Sequence, residues 1–562
     1  MSNLIKTAEN EVRELILKAL GGLVSDGSIE ALPLSAFNVE VPAEKAHGDF
    51  SANIAMISAK AFRMPPRKIA ELISSKIDLT GTFFVKVDVA GPGFLNFYLG
   101  QQWFSKAVFT ILNEKERFGE TDLGKGKKLM VEFVSANPTG PMHIGNARGG
   151  AIGDCLAAVL EKAGYNVTRE FYVNDAGNQI EKFALSLDLR YLQLYKDDIE
   201  MPEDSYHGED ITEHARAFAE IHGDKYVNLP ERERRDALVA FALPKNIKKL
   251  ESDLLRYRIK YDVWFMESQL HRENKVMEIV KLLKSKGLTY EKEGADWYKA
   301  TEFGAEKDDV LVRANGIPTY FTADIAYHYN KFVERNFDKV VNVWGADHHG
   351  HVARLKGAMQ AVGVDPSRLD VVLMQMVRLV KDGEIIKASK RSGKAITLVT
   401  LLDEVPIDAA RFFFNLRESN SHFDFDLGLA IEQSSQNPVY YVQYAHARIC
   451  SILRTLSSEG IEAKQPSEDA LVLLNAPEER DLIRHMATLS DVINDSALSY
   501  DPAKITRFAI DTATLFHKFY SQCRVNVENT QLLQARLNLC LAVKIVIKNI
   551  LEILKINCPE KM

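Results

Sequence analysis

The chain has 562 residues, 46% hydrophobic and 26% charged, the balance of a folded globular protein. That length exceeds one hydrophobic core, so about three or four domains are expected. With 70 Lys and Arg against 77 Asp and Glu the net charge is −7, which excludes a broadly basic nucleic-acid binder; any such surface must be local.

The chain shows no apolar run long enough to span a bilayer, so no membrane segment is predicted. Residues Met1 to Gly22 carry Lys6, Glu9, Glu11, Arg13, Glu14 and Lys18 among apolar positions, the pattern of an amphipathic helix and not of a secretory signal. Cys155, Cys450, Cys523, Cys540 and Cys558 form no C-x-x-C pair. They point to neither a zinc site nor a disulfide framework, and to a cytoplasmic setting.

Residues 1–115 read as a small α+β domain. After the first helix, a second is expected from Ala52 to Phe62 and a third from Arg67 to Ile77, started by Pro65-Pro66. Val85, Val87 and Val89 alternate with Lys86 and Asp88, a half-buried strand, and Phe94 to Leu99 is its partner across Gly91-Pro92-Gly93. Lys60, Arg63, Arg67 and Lys68 fit phosphate contacts as well as they fit a solvated helix face.

The centre of the chain is Lys127 to Gly164. An apolar strand, Leu129 to Val134, leads through Asn137, Pro138, Gly140 and Pro141 into a helix that starts near His143 and stops at Gly164. The first N–H groups of such a helix have no internal partners, and its positive dipole end suits a phosphate. His143 and Asn146 share one face of the first turn, and Gly145 between them leaves the backbone open to a flat base. The same pattern also fits an ordinary strand–helix unit with polar residues on its exposed end. A second strand, Val167 to Val173, makes this a parallel, doubly wound sheet, in which ligands bind beyond the C-terminal strand ends.

Residues 185–260 or so interrupt the pattern with helical stretches around the polar loop Pro202 to Gly208, and Lys245, Lys248, Lys249, Arg256, Arg258 and Lys260 make part of it basic. The sheet is expected to resume with Trp264 to Ser268, Val310 to Val312 and Val340 to Trp344. Asp347-His348-His349-Gly350-His351 follows, and three histidines so close admit a metal reading. Glu267 and Asp324 sit just past apolar segments. Far downstream, Lys387-Ala388-Ser389-Lys390-Arg391 is a short basic loop suited to a polyphosphate or simply to solvent.

Taken together, His143-Ile144-Gly145-Asn146 and Lys387-Ala388-Ser389-Lys390-Arg391 resemble the HIGH and KMSKS signatures of class I aminoacyl-tRNA synthetases. Val131 to Pro141, Phe171 to Ile180, Asp408-Ala409-Ala410-Arg411 (similar to a DALR box) and Asn437 to Arg448 resemble the arginine-specific, bacterial-type family, and the likeness covers nearly the whole chain.

The resemblance implies four parts. These are an additional tRNA-binding domain (1–115), a Rossmann-like catalytic domain with the insertion (122–400), a connecting segment (401–436) and an α-helical anticodon-binding bundle (437–562). It implies ATP, L-arginine and tRNA(Arg) as substrates, Mg2+ with the ATP or pyrophosphate, no structural zinc, and a monomer. Pro138, Gly140, His143, Gly145, Asn146, Asp347, His348, Lys387 and Lys390 would meet ATP, with Ser389 joining the catalytic set. Ser135, Asn137, Glu267, Tyr320 and Asp324 would hold arginine, whose guanidinium pairs bidentately with carboxylates. It implies too that amino-acid activation waits for tRNA. Two positions depart from the pattern: Asn146 replaces the second histidine of HIGH, and Ala388 the methionine of KMSKS. In the C-terminal bundle, Tyr440, Tyr441 and Tyr444 suit base stacking, and at least one of them is expected in the core.

Overall fold

The computed structural model describes residues 3–33, 35–386 and 396–562. In the catalytic region, five strands pair in parallel in the order Leu369–Met374, Lys339–Gly345, Lys128–Glu132, Asn166–Val173, Val263–Met266. The first strand in the chain lies in the middle, and the order runs outwards from it on both sides. That junction is the switch point where open α/β sheets bind ligands. The helix Ile144–Lys162 leaves from it and packs closely on the sheet. A Cβ on Gly153 would lie 2.2 Å from the Phe133 ring, so only glycine admits this approach. Gly164 closes the helix at φ +86°.

One expected sheet strand lies elsewhere. Asp309–Val312 pairs antiparallel with Ala295–Tyr298, which pairs with Thr289–Lys292 in a separate three-stranded sheet. The hairpin turns through Glu293 (φ +55°) and Gly294 (φ +73°), and it captures the strand that would otherwise extend the parallel sheet. The Leu369–Met374 strand takes that edge instead.

The N-terminal region folds as an antiparallel sheet ordered Val39–Glu40, Phe50–Ala52, Phe94–Leu99, Phe84–Ala90, with the helices Leu4–Ser25, Ile54–Phe62 and Pro66–Lys76. The expected helix from Ala52 begins at Ile54, because Phe50 to Ala52 are buried as a strand, with Phe50 opposite Phe97. The insertion has its own apolar core, including Phe183, Leu187, Tyr191, Ile211, Phe218 and Leu238. The C-terminal helices Pro438–Ser458, Pro477–Ala487, Leu489–Ser499, Ala503–Gln522 and Thr530–Ile553 form the bundle, with the 3-10 turn Asp469–Leu473 between the first two.

The two ends of the chain meet. Arg484 pairs with Asp49, Lys45 with Asp481 (2.6 Å), and Gln101 Nε2 donates to Leu474 O (2.6 Å). Among the described residues, no helix is long and apolar enough to cross a membrane.

Candidate active site

His143 caps the helix Ile144–Lys162. Its Nδ1 accepts the Gly145 N–H (3.1 Å), and Asn146 Oδ1 accepts the His143 N–H (3.1 Å), so the two side chains close a reciprocal cap. This ring position explains Gly145, where a Cβ would lie 2.9 Å from His143 Cε1. A bare Nδ1 leaves the proton on Nε2, a donor for an anion at the helix end. Desolvation by the surrounding protein moves the His143 imidazole below its ordinary value, so the ring is neutral at pH 7.

The turn entering this helix is strained. Val134 and Ser135 both have positive φ (+69° and +41°), a conformation that a β-branched residue rarely adopts. Ser135 Oγ donates to Glu132 Oε1 (2.9 Å) and accepts the Tyr172 N–H (3.2 Å). From the other side, Asn246 of the insertion donates to Pro138 O (3.0 Å), and His214 orients that amide at 2.7 Å.

A cleft of about 680 Å³ opens here. Ser135, Asn137, Gly140, His143, Asn146 and His348 line it together. Gln179, from the family-like segment Phe171 to Ile180, and Tyr206 and Asp210 of the insertion line it too, although no sequence feature gave any of the three a role at the site. Gly145 lies under the His143 ring, whereas Pro138 is buried behind the turn.

The two singled-out carboxylates flank one tyrosine. Glu267 is 7% exposed at the start of the helix Glu267–Arg272, whose dipole favours a negative charge there. Its Oε2 accepts the Tyr172 hydroxyl (2.8 Å). The Asn174 amide, another cleft residue, is satisfied only with its nitrogen towards Ala176 O (2.8 Å), where it also donates to Glu267 Oε2 (3.0 Å). Burial, then the charges of Glu267, Asp324 and Glu132, hold the Tyr172 phenol well above its usual range. Asp324 accepts from His328 Nδ1 (3.0 Å) and His351 Nε2 (2.6 Å). Burial acts to raise its carboxyl, but the two histidines outweigh it and hold it well below the usual range. Tyr320 stands one turn before Asp324 on the same helix face and is 71% exposed. Asp347 is exposed as well.

Lys387, Ser389 and Lys390 lie outside the described residues. The chain that follows them pairs directly with the signature turn. Ile144 N donates to Ile396 O (3.2 Å), Leu398 N to Met142 O (2.8 Å), and His143 faces Thr397 in an antiparallel bridge. His351 serves Asp324 and His348 faces the cleft. Among the described residues, no three His, Cys, Asp or Glu side chains are placed to hold a metal.

A second cavity, of about 900 Å³, lies on the C-terminal bundle. Tyr444, Arg448, Arg454, Tyr520, Arg524 and Lys561 line it, so the local basic surface that the net charge demands exists. None of the three tyrosines is fully buried. Tyr440 stacks on Tyr444, and Tyr441 and Tyr444 pack on His517.

This parallel sheet, with a histidine-capped helix leaving its switch point, carries the catalytic fold of class I aminoacyl-tRNA synthetases. Residues 107–434 match the family model of the class I (R) tRNA synthetase catalytic domain. Residues 10–99 match the arginyl tRNA synthetase N-terminal domain, and residues 442–562 the DALR anticodon binding domain. The chain is 55% identical over 562 residues to the arginine–tRNA ligase of Caldanaerobacter subterraneus subsp. tengcongensis, covering 100% of both. It is 52% identical over 564 residues to that of Acetivibrio thermocellus, again covering 100% of both. The crystal structure of a putative arginyl tRNA synthetase from Campylobacter jejuni superposes with a TM-score of 0.74 at 33% identity, covering 83% of this chain and 100% of that one. The chain belongs to the arginyl-tRNA synthetase family, bacterial type.

Proposed function

We propose that this chain performs its family's reaction, arginine–tRNA ligation, in the cleft between the His143 turn and the Glu267–Asp324 pair. The enzyme activates L-arginine with ATP to arginyl-adenylate, releasing pyrophosphate. It then transfers the arginyl group to the 2′-hydroxyl of the terminal adenosine of tRNA(Arg), releasing AMP. In the first step the arginine carboxylate oxygen bonds to the α-phosphorus as the bond to the pyrophosphate oxygen breaks. The protein's part in such phosphoryl chemistry is positioning and charge stabilisation.

The observation that carries the reading is the pairing of Met142–Ile144 with Ile396–Leu398, which joins the two signature regions although they are distant in sequence. It supports His143 Nε2 and the helix end as partners of the phosphates. It also supports Lys387 and Lys390 as the groups that neutralise pyrophosphate, with Ser389 between them. Gly140, Gly145, Asn146, Asp347 and His348 belong to the ATP side, and the buried Pro138 supports the turn. Ser135, Asn137 and Tyr320 join Glu267 and Asp324 around arginine. Mg2+ would travel with the triphosphate and add positive charge there, since the described protein residues form no cage for it.

The basic, tyrosine-bearing cavity on the bundle suits an unstacked anticodon base. We also take the protein to act as a cytoplasmic monomer. Charging of total bacterial tRNA with arginine, ATP and Mg2+ tests the reading, and tRNA binding without charging would overturn it. Lys390→Ala should slow pyrophosphate exchange ten-fold or more, on the scale of ~1.4 kcal/mol per factor of ten. An unchanged rate would remove that lysine from the assignment.

A further inference from the structure

The helix Tyr320–Tyr329 runs on into a π-turn, Asn330–Glu334, the kind of wide turn that gathers at functional sites. It carries Lys331, which is fully buried. Its Nζ lies 2.5 Å from Glu132 Oε2 and 3.3 Å from Asn342 Oδ1. A buried ammonium is retained only against such partners.

An ammonium can only donate. The Asn342 amide must therefore turn its oxygen to Lys331, and its nitrogen then faces His328 Nε2 at 3.0 Å. That nitrogen also can only donate, so His328 Nε2 must be bare. The ring proton is left on Nδ1, 3.0 Å from Asp324 Oδ1 and 2.9 Å from Asp324 O. Lys331, Asn342 and His328 all have zero exposure, so no solvent competes for these bonds. The Tyr327 ring also meets the His328 ring edge-on at 5.5 Å. The donor directions therefore agree from both ends, with the Lys331 ammonium at one and the Asp324 acceptors at the other.

We propose that Lys331 and Asn342 are positioning residues for arginine, which lock His328 in its neutral, Nδ1-protonated tautomer and so leave Asp324 a fixed and fully negative carboxylate. This deepens the reading that Asp324 receives the guanidinium, and rests on it. The charge balance follows. Lys331 neutralises Glu132. Glu267 accepts from Tyr172 and Asn174 and faces His271 Nε2 at 3.4 Å, and Asp324 accepts from the buried His328 and, at its other oxygen, from His351. An imidazolium at His328 would instead be an internal cation on the carboxylate that the substrate needs. The same lysine reaches the signature turn, because Glu132 Oε1 accepts from Ser135 Oγ.

The test uses the full-length enzyme labelled with 15N-histidine, the His328 signals being assigned by their loss in His328→Gln. In the native protein at pH 7, one ring nitrogen should be protonated and one bare, with the proton on Nδ1. Asn342→Asp keeps the shape but places a carboxylate at Nε2, which should draw a second proton onto the ring. The arginine KM in pyrophosphate exchange should then rise ten-fold or more, with the ATP KM within about two-fold of native. Should that variant fail to fold, Asn342→Leu removes the donor without adding charge. It should then raise the arginine KM alone and shift the signal of the bare Nε2, which loses its donor. A native ring that is doubly protonated, or protonated on Nε2, overturns the proposal. Asp324→Asn separates the two levels. If it leaves the arginine KM unaltered, the pocket reading falls. If it raises that KM while the Asn342 variants change neither KM nor ring signals, only the positioning role falls.

Discussion

A neutral His143 ties the helix cap to acid sensitivity. Its folded value lies below 6.5, so its cap bond is fully present above about pH 6.5 and is lost as the pH falls through the lowered value. Adenylate formation should accordingly be level from pH 8 to about 6.5 and fall below it. In His143→Asn, which caps without titrating, the acid limb should disappear although the overall rate is lower. A limb that persists in that variant would assign it to another group. Asn146 is equally concrete. The role it fills, accepting the His143 N–H, needs no charge, which is why the missing second histidine of the signature leaves the cap whole. Glu267 and Asp324 were legible in the sequence only through the family resemblance. Their supports were not: Glu132, Tyr172, His328 and Lys331 come from three separate segments, and no spacing rule links them. The one local sign was a charged residue, Glu132, inside an otherwise apolar strand.

At the scale of elements, the fold turns on how the signature helix is held. Arg411, fully buried, donates to Asp154 Oδ2 on that helix (2.6 Å), to Tyr257 O at the end of the insertion (3.1 Å), and to Leu554 O, which caps the last helix of the bundle (2.8 Å). Asp408, three residues earlier, takes Arg258 (2.5 Å) and Gln443 (2.9 Å). The DALR-like box is therefore a junction of catalytic helix, insertion and bundle, and not a surface motif. Arg411→Leu should cost about 3–5 kcal/mol, the scale for breaking a buried charge pair, seen as a lower unfolding temperature. A change under about 1 kcal/mol would mean that Arg169, which also reaches Asp154 (3.2 Å), carries the load alone. The box was visible as a motif, but its partners lie too far along the chain to be inferred. The strand Asp309–Val312 teaches the same limit, since three apolar residues do not say which sheet they join.

Across the whole molecule, the cleft is built from the sheet, the insertion and the segment after residue 395, while the N-terminal domain docks on the bundle through Asp49–Arg484 and Lys45–Asp481. Arg411 links the bundle to the signature helix, through Leu554 O at one end and Asp154 at the other, so the two are mechanically joined. Pyrophosphate exchange should therefore be slow without tRNA and rise when tRNA is added; vigorous exchange by the enzyme alone would contradict this. The change from an α+β pattern to strand–helix alternation and then to helical periodicity was readable along the sequence, because each carries its own spacing. The contacts between these regions were not, because docking pairs single residues across hundreds of positions.

On the proposed reading, Glu267 and Asp324 select the guanidinium of arginine. The most direct measurement compares kcat/KM for arginine and for citrulline, which has nearly the same shape but no charge, in native enzyme and in Glu267→Gln. Discrimination on the order of 10⁴ is expected in the native enzyme, the scale for leaving buried polar groups unpaired, and it should fall at least ten-fold in the variant. Equal use of the two amino acids, or discrimination that Glu267→Gln leaves untouched, would contradict it.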